Sequence, residues 1–278
     1  MNQTTNQELK TLLKLLDESQ LDELSIISWA SPIISFGDIS KSKIATLGIN
    51  PSNREFVDIK GDELKEDNRR FHTLSSLGIS SWSNINENHL QLILESCNEY
   101  FSRNPYDGWF KKLDYLMSGS SVSYYFPSFE ACHLDLIPFA TSEKWSNLTP
   151  FQQTRLLRFF EDALGVIIAN SSIEVLLLNG QTVVNNFEKI SNVEFEKKLQ
   201  EDWELPRKTS DGVSGFSYEG FVSSIGNVNL KKKIKVLGYN HNVQSSFGVS
   251  SEVLASIRKW ISNNVKINSY ETRGHSII

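Results

Sequence analysis

Ile44-Ala45-Thr46-Leu47-Gly48-Ile49 is a short apolar run that passes directly into Asn50-Pro51-Ser52. Six residues suit a buried strand better than a helix, and Asn-Pro is a turn-forming pair. Three further runs have the same character: Cys132–Ile137, Glu174–Leu178 and Ile234–Tyr239. Enough residues separate each run from the next for at least one helix, which is the rhythm of a parallel sheet covered on both faces. Helical spacing of apolar residues fills the gaps, at Glu8–Leu16, Asn88–Phe101, Trp109–Met117, Pro150–Ala169 and Ser251–Ile261. The expected fold is therefore α/β, a three-layer α/β/α arrangement around a central, mainly parallel four-stranded sheet. One domain is expected over 1–278, with an N-terminal helical extension over about 1–30. The charged segment Val57–Arg70 reads as an exposed loop. The segment Trp203–Asn229, with Pro206 and four glycines, reads as an excursion from the core.

Composition narrows the function classes. The chain has 278 residues, 39% hydrophobic and 22% charged, enough for a sizeable core and too apolar for a disordered chain. No run approaches the roughly 18 apolar residues of a membrane span. The opening MNQTTNQELK lacks the basic and apolar regions of a signal peptide, so a cytoplasmic protein without a membrane partner is expected. Cys97 and Cys132 are too few and too far apart for a disulfide framework or a four-cysteine metal site. His72, His89, Cys97 and His275 show no ligand spacing, and no metal or other cofactor is expected. The net charge of −5 speaks against a nucleic-acid partner, but it is unevenly spread: Lys231–Ile278 carries +6 and the rest −11. That pattern fits a basic face on an acidic body, and equally a solvated lysine cluster ahead of a buried strand.

In an open parallel sheet, ligands bind beyond the carboxyl ends of the strands. The segments there are GINPSNREF (48–56), HLDLIPFAT (133–141), VLLLNGQTV (175–183) and GYNHNVQSS (238–246). Taken in order, these four segments resemble the strand-end motifs of the uracil-DNA glycosylase superfamily. The first resembles its water-activating Gly-x-(Asp/Asn)-Pro motif, in the Asn form of the mismatch-specific and single-strand-selective branches. The last stands where that family has a His-containing leaving-group loop. The resemblance runs from about Gly48 to Ser246.

It implies a monofunctional DNA glycosylase that flips out a base and cleaves its N-glycosidic bond, leaving an abasic site. Asn50 would hold a water against the anomeric carbon, by positioning rather than as a base; alone, Asn50 reads equally well as a turn residue before Pro51. His241 would stabilise the departing base, with Asn240 as its substitute. Gly48, Ser52, His133 and Asp135 would form the base pocket. Asp135 stands where the family commonly has an Asn that reads the flipped base. An ionised carboxylate only accepts hydrogen bonds, which suits cytosine N4 and opposes uracil O4. A modified cytosine is therefore the expected substrate, in a setting of defence against bacteriophages by resemblance; a local salt bridge of Asp135 with His133 is the competing reading. Phe71 would stack on the base, with Phe56 as substitute, while Arg69, Arg70, Ser245 and Ser246 would hold DNA phosphates. DNA is the expected partner, with no obligate protein partner. The competing functions are uracil or thymine mismatch repair and a non-catalytic modified-DNA binding module.

Overall fold

The computed structural model describes residues 3–207, 212–244 and 248–265. Helix α1 (Gln3–Leu15) comes first, then strand β1 (Ile44–Gly48). The one-turn helix α2 (Leu74–Leu77), α3 (Glu87–Asn98) and α4 (Asp107–Met117) lie between β1 and β2 (Ala131–Asp135). Helix α5 (Pro150–Ala169) leads into β3 (Val175–Asn179), and α6 (Gln181–Ile190) into β4 (Glu196–Leu205), β5 (Val213–Ile225), β6 (Val228–Tyr239) and α7 (Ser251–Asn264).

The four apolar runs form the four parallel strands, in the order β2-β1-β3-β6. Every residue of β1, β2 and β3 is buried, which is why these strands read as continuous apolar runs rather than alternating ones. Helices cover both faces. Gly238 faces Val184 of α6, while the Trp203 indole on the other face donates to Ser256 of α7 at 3.2 Å. Helix α5 begins at the expected residue because Thr149 and Gln152 form a capping box around Pro150. Leu9, Leu12 and Leu13 of α1 are buried in the same hydrophobic cluster as the sheet.

The sheet is mixed and six-stranded, which corrects the expected four-stranded count. The two additional strands come from the segment read as an excursion: β4 and β5 continue the sheet antiparallel beyond β6. Trp203, Tyr218, Val222 and Ile225 are core residues. Glycines there serve close packing rather than a loop, since a Cβ on Gly215 would overlap the Trp203 side chain. Strand β4 is the outer edge, and its exposed Glu196, Lys197, Lys198, Glu201 and Asp202 oppose edge-to-edge pairing.

Register prepares the site. Thr46 lies beside His133 and Gly48 beside Asp135. Side chains alternate along a strand, so these four positions share one face. Among the described residues, no helix is long and apolar enough to cross a membrane.

Candidate active site

Where β1 and β2 end, their shared face opens into a cavity of about 160 Å³. Its walls include Asn50 and Glu55 after β1, Asp135 and His133 on β2, and the rings of Phe36, Trp109 and Phe110. Two open grooves, of about 600 and 540 Å³, share Asn50 with it.

The Asn50 side chain is oriented by its partners. Its Nδ2 donates to Thr141 Oγ1 at 3.0 Å and to the Pro51 carbonyl at 3.2 Å. A carbonyl can only accept, and Thr141 spends its own proton on the Glu143 carbonyl at 2.6 Å. Both contacts therefore require the amide nitrogen. No described residue donates to Asn50 Oδ1, so this oxygen is available to accept from a water or ligand.

Gly48 is needed for close approach. A Cβ there would collide with Asp135 Oδ1 and lie 3.0 Å from His133 Nε2. Behind it a buried polar chain runs from Tyr124 OH through Thr46 Oγ1 to His133 Nδ1, the last contact at 2.7 Å. His133 Nε2 lies 3.4 Å from Asp135 Oδ1. Asp135 thus has both anticipated features: it lines the cavity and it faces His133. Trp109, Phe110 and Phe36 hold the imidazole, with ring centroids 5.1 to 5.4 Å away.

Glu55, in the same motif as Asn50, was not singled out from the sequence. It follows Ser52 in a 3₁₀ turn whose N-cap is the Ser52 hydroxyl, accepting from Arg54 N at 3.2 Å. The turn carries Glu55 inward, where it is only 3% exposed. Tyr106 N–H donates to Tyr100 OH, and Tyr100 OH donates to Glu55 Oε2 at 2.9 Å. Burial pushes the Glu55 carboxyl up to about 7, the Arg70 guanidinium and Tyr100 opposing this and the Asp135 charge adding to it. The only signal in the sequence was an acid one residue before a buried aromatic, a pattern too common to be specific.

Several expected site residues lie elsewhere. His241 is buried, and its Nε2 contacts the Trp203 carbonyl at 2.6 Å. It does not line the cavity or either groove, so a leaving-group role has no geometric support; burial pushes its pKa down. Its substitute Asn240 borders the groove but has its amide committed to β5, accepting from Phe216 N at 2.7 Å and donating to the Ser214 carbonyl at 2.8 Å. Phe71 is 1% exposed and packs in an aromatic cluster with Tyr100, Phe36 and Phe56, while Phe56 is equally buried, so neither ring faces the cavity. Arg70 is tied to the Asn104 and Arg54 carbonyls, both at 2.8 Å, and to Glu55 at 3.8 Å, which makes it a scaffold residue. Arg69 is partly exposed. Ser245 and Ser246 lie outside the described residues.

The lysine run is not at the site. Lys235 pairs with Val175 and Tyr239 with Asn179, so Lys231–Lys233 lie toward the amino ends of the parallel strands, opposite the cavity. Lys232 donates to the Ser171 carbonyl and Lys233 sits over the Phe221 ring.

Across the groove from Asn50, Tyr239 OH donates to Asn179 Oδ1 at 3.0 Å, and Asn179 Nδ2 donates to Gln244 Oε1. This order leaves Gln244 Nε2 buried and without a partner among the described residues, in a side chain that lines the groove. Among the described residues, no group of three or more His, Cys, Asp or Glu is disposed to hold a metal. Burial pushes the Cys97 and Cys132 thiols up to about 11 and about 12, which makes both unreactive.

The chain matches no family model and no curated protein. The chemistry of the cavity is what remains to indicate a function.

Proposed function

We propose that this protein is a monofunctional DNA glycosylase, a three-layer α/β/α enzyme of the uracil-DNA glycosylase type that excises a modified cytosine. The observation that carries the reading is the free Oδ1 of Asn50 at a ring-sized cavity that the Asp135 carboxyl also lines. A volume of roughly 150 Å³ suffices for a benzene-sized molecule, so the cavity accommodates one pyrimidine ring. A bulky substituent on that ring would extend into the grooves that share Asn50.

In this mechanism the flipped base enters between aromatic walls, with Trp109 and Phe36 taking the stacking role expected of Phe71. Asp135 accepts a hydrogen bond from the exocyclic amino group. As the glycosidic bond lengthens, positive charge builds on the sugar, and Asn50 Oδ1 accepts from a water and aims its oxygen at the anomeric carbon. The water's oxygen bonds to that carbon, its proton goes to solvent, and the base leaves with the bonding electron pair. Gln244, rather than His241, lines the groove, and its Nε2 is a donor with no partner among the described residues.

A non-catalytic DNA-binding module is the second reading. The observation favouring it is that His241 is turned away from the cavity. Incubation with oligonucleotides carrying uracil, cytosine or 5-substituted cytosines, followed by alkaline cleavage at abasic sites, separates the two. Asn50-dependent cleavage of a cytosine derivative supports the glycosylase. Tight binding without cleavage of any member supports the module.

A further inference from the structure

The cavity has a second carboxyl group, Glu55, that the proposed mechanism does not use. Its two oxygens are not equivalent. Oε2 accepts from Tyr100 OH, whose own lone pair is taken by Tyr106 N–H, so the phenol proton can point only at Glu55. No described residue donates to Oε1, and Glu55 lines the cavity together with Asp135. If Glu55 carries a proton, it is therefore on Oε1, where it forms a donor in the cavity that Asp135 also lines with its acceptor oxygens.

An adjacent donor and acceptor complement one pyrimidine edge. Cytosine presents an acceptor at N3 and a donor at its 4-amino group. Uracil presents the reverse, a donor at N3 and an acceptor at O4. We propose that Glu55 is a specificity-determining residue of this cavity: its carboxylic acid donates from Oε1 to N3 of a flipped cytosine while Asp135 accepts from the 4-amino group. The inference rests on the reading of the cavity as a base pocket. It assigns the two carboxyls opposite hydrogen-bonding roles.

The surroundings favour this split. Burial and the nearby Asp135 charge raise the Glu55 carboxyl, to about 7. Arg70 opposes them from 3.8 Å, too far for a close ion pair. Asp135 has His133 Nε2 beside it at 3.4 Å, a neighbour that Glu55 lacks. The groups facing Glu55 are thus Arg70, Tyr100 from the turn after α3, and Asp135 with His133 from β2. Two carboxyls in one small cavity disfavour double ionisation, and the buried Glu55, whose carboxyl is raised to about 7, is the one that holds a proton.

The test is binding of single-stranded oligonucleotides containing one 2′-fluoroarabino cytidine or uridine, whose glycosidic bond resists cleavage, to full-length wild type, Glu55→Gln and Glu55→Leu. The wild type is expected to prefer the cytosine probe by on the order of tenfold or more at pH 6, as for a bidentate base contact. The preference should fall as pH rises through about 7. Glu55→Gln, whose amide nitrogen donates where Oε1–H did, should keep the preference and lose its pH dependence. Glu55→Leu should lose the preference. An equal preference in Glu55→Leu, or a pH dependence that survives in Glu55→Gln, overturns the proposal; the Gln arm decides if the Leu variant does not fold. Cleavable probes carrying 5-substituted cytosines are run in parallel. Base release without a Glu55-dependent preference removes the Glu55 proposal alone, whereas a Glu55-dependent preference without base release removes the glycosylase reading alone.

Discussion

Asn50 Nδ2 donates to Thr141 Oγ1 at 3.0 Å, so a residue 91 positions away in the chain determines which end of the Asn50 amide faces the cavity. Thr141→Val keeps the shape but removes the acceptor. The amide is then held by the Pro51 carbonyl alone, and base release should slow by between about tenfold and a hundredfold, mainly in kcat. Thr141→Ser, which keeps the hydroxyl, should stay near wild type. Single-turnover rates of both variants check this, and equal rates for Val and Ser would remove Thr141 from the mechanism.

Gly48 is the point of closest approach between β1 and the Asp135 carboxyl. Gly48→Ala should displace Asp135, lower stability by about 1–3 kcal/mol as overpacking does, and abolish base binding. Thermal unfolding together with oligonucleotide binding reads both effects. A variant with wild-type melting and binding would show that the two strands can separate without consequence.

His241 belongs to the structure rather than the chemistry, because its Nε2 is held by the Trp203 carbonyl within the core. His241→Ala should cost roughly 1–3 kcal/mol of stability by leaving that carbonyl unpaired. The base-release rate per folded molecule should be nearly unchanged. A large loss of rate with normal melting would restore the leaving-group role.

His72 gives the fold an acid sensitivity. Burial, then the nearby Arg69 and Arg103, push its imidazole down to about 4, whereas in the unfolded chain it titrates near 6.5. Between those values the unfolded state binds the extra proton, so stability is complete above about 6.5 and is lost as pH falls toward 4. Urea unfolding at pH 7 and pH 5 should show this decline in wild type and a smaller one in His72→Gln. An equal decline in both would place the sensitivity elsewhere.

The parallel half of the sheet was legible because three fully buried strands and the largely buried carboxyl half of β6 leave continuous apolar runs, and Thr149-Pro150 marks the start of α5. The antiparallel half was not. The glycines of β5 serve close packing against Trp203, the Val193 side chain and the Glu194 carbonyl, yet in sequence they look like loop punctuation. Among site residues, Asn50, Asp135, His133, Gly48 and Ser52 do meet at one cavity or its rim, because strand ends in register bring them together. Phe71, Arg70 and His241 do not. Each has a long or bulky side chain whose direction depends on tertiary packing, which strand periodicity does not reveal. Glu55 escaped notice for the opposite reason: its burial depends on Tyr100, 45 positions away.

The most direct test of the central claim is to incubate wild type and Asn50→Ala with a single-stranded oligonucleotide bearing one 5-substituted cytosine and to identify the products by mass. Wild type should release the intact free base and leave an abasic strand of matching mass deficit, while Asn50→Ala should bind the strand but release at least about a hundredfold more slowly. Release at the same rate by both proteins, or none by wild type across the substituted cytosines, would contradict that claim.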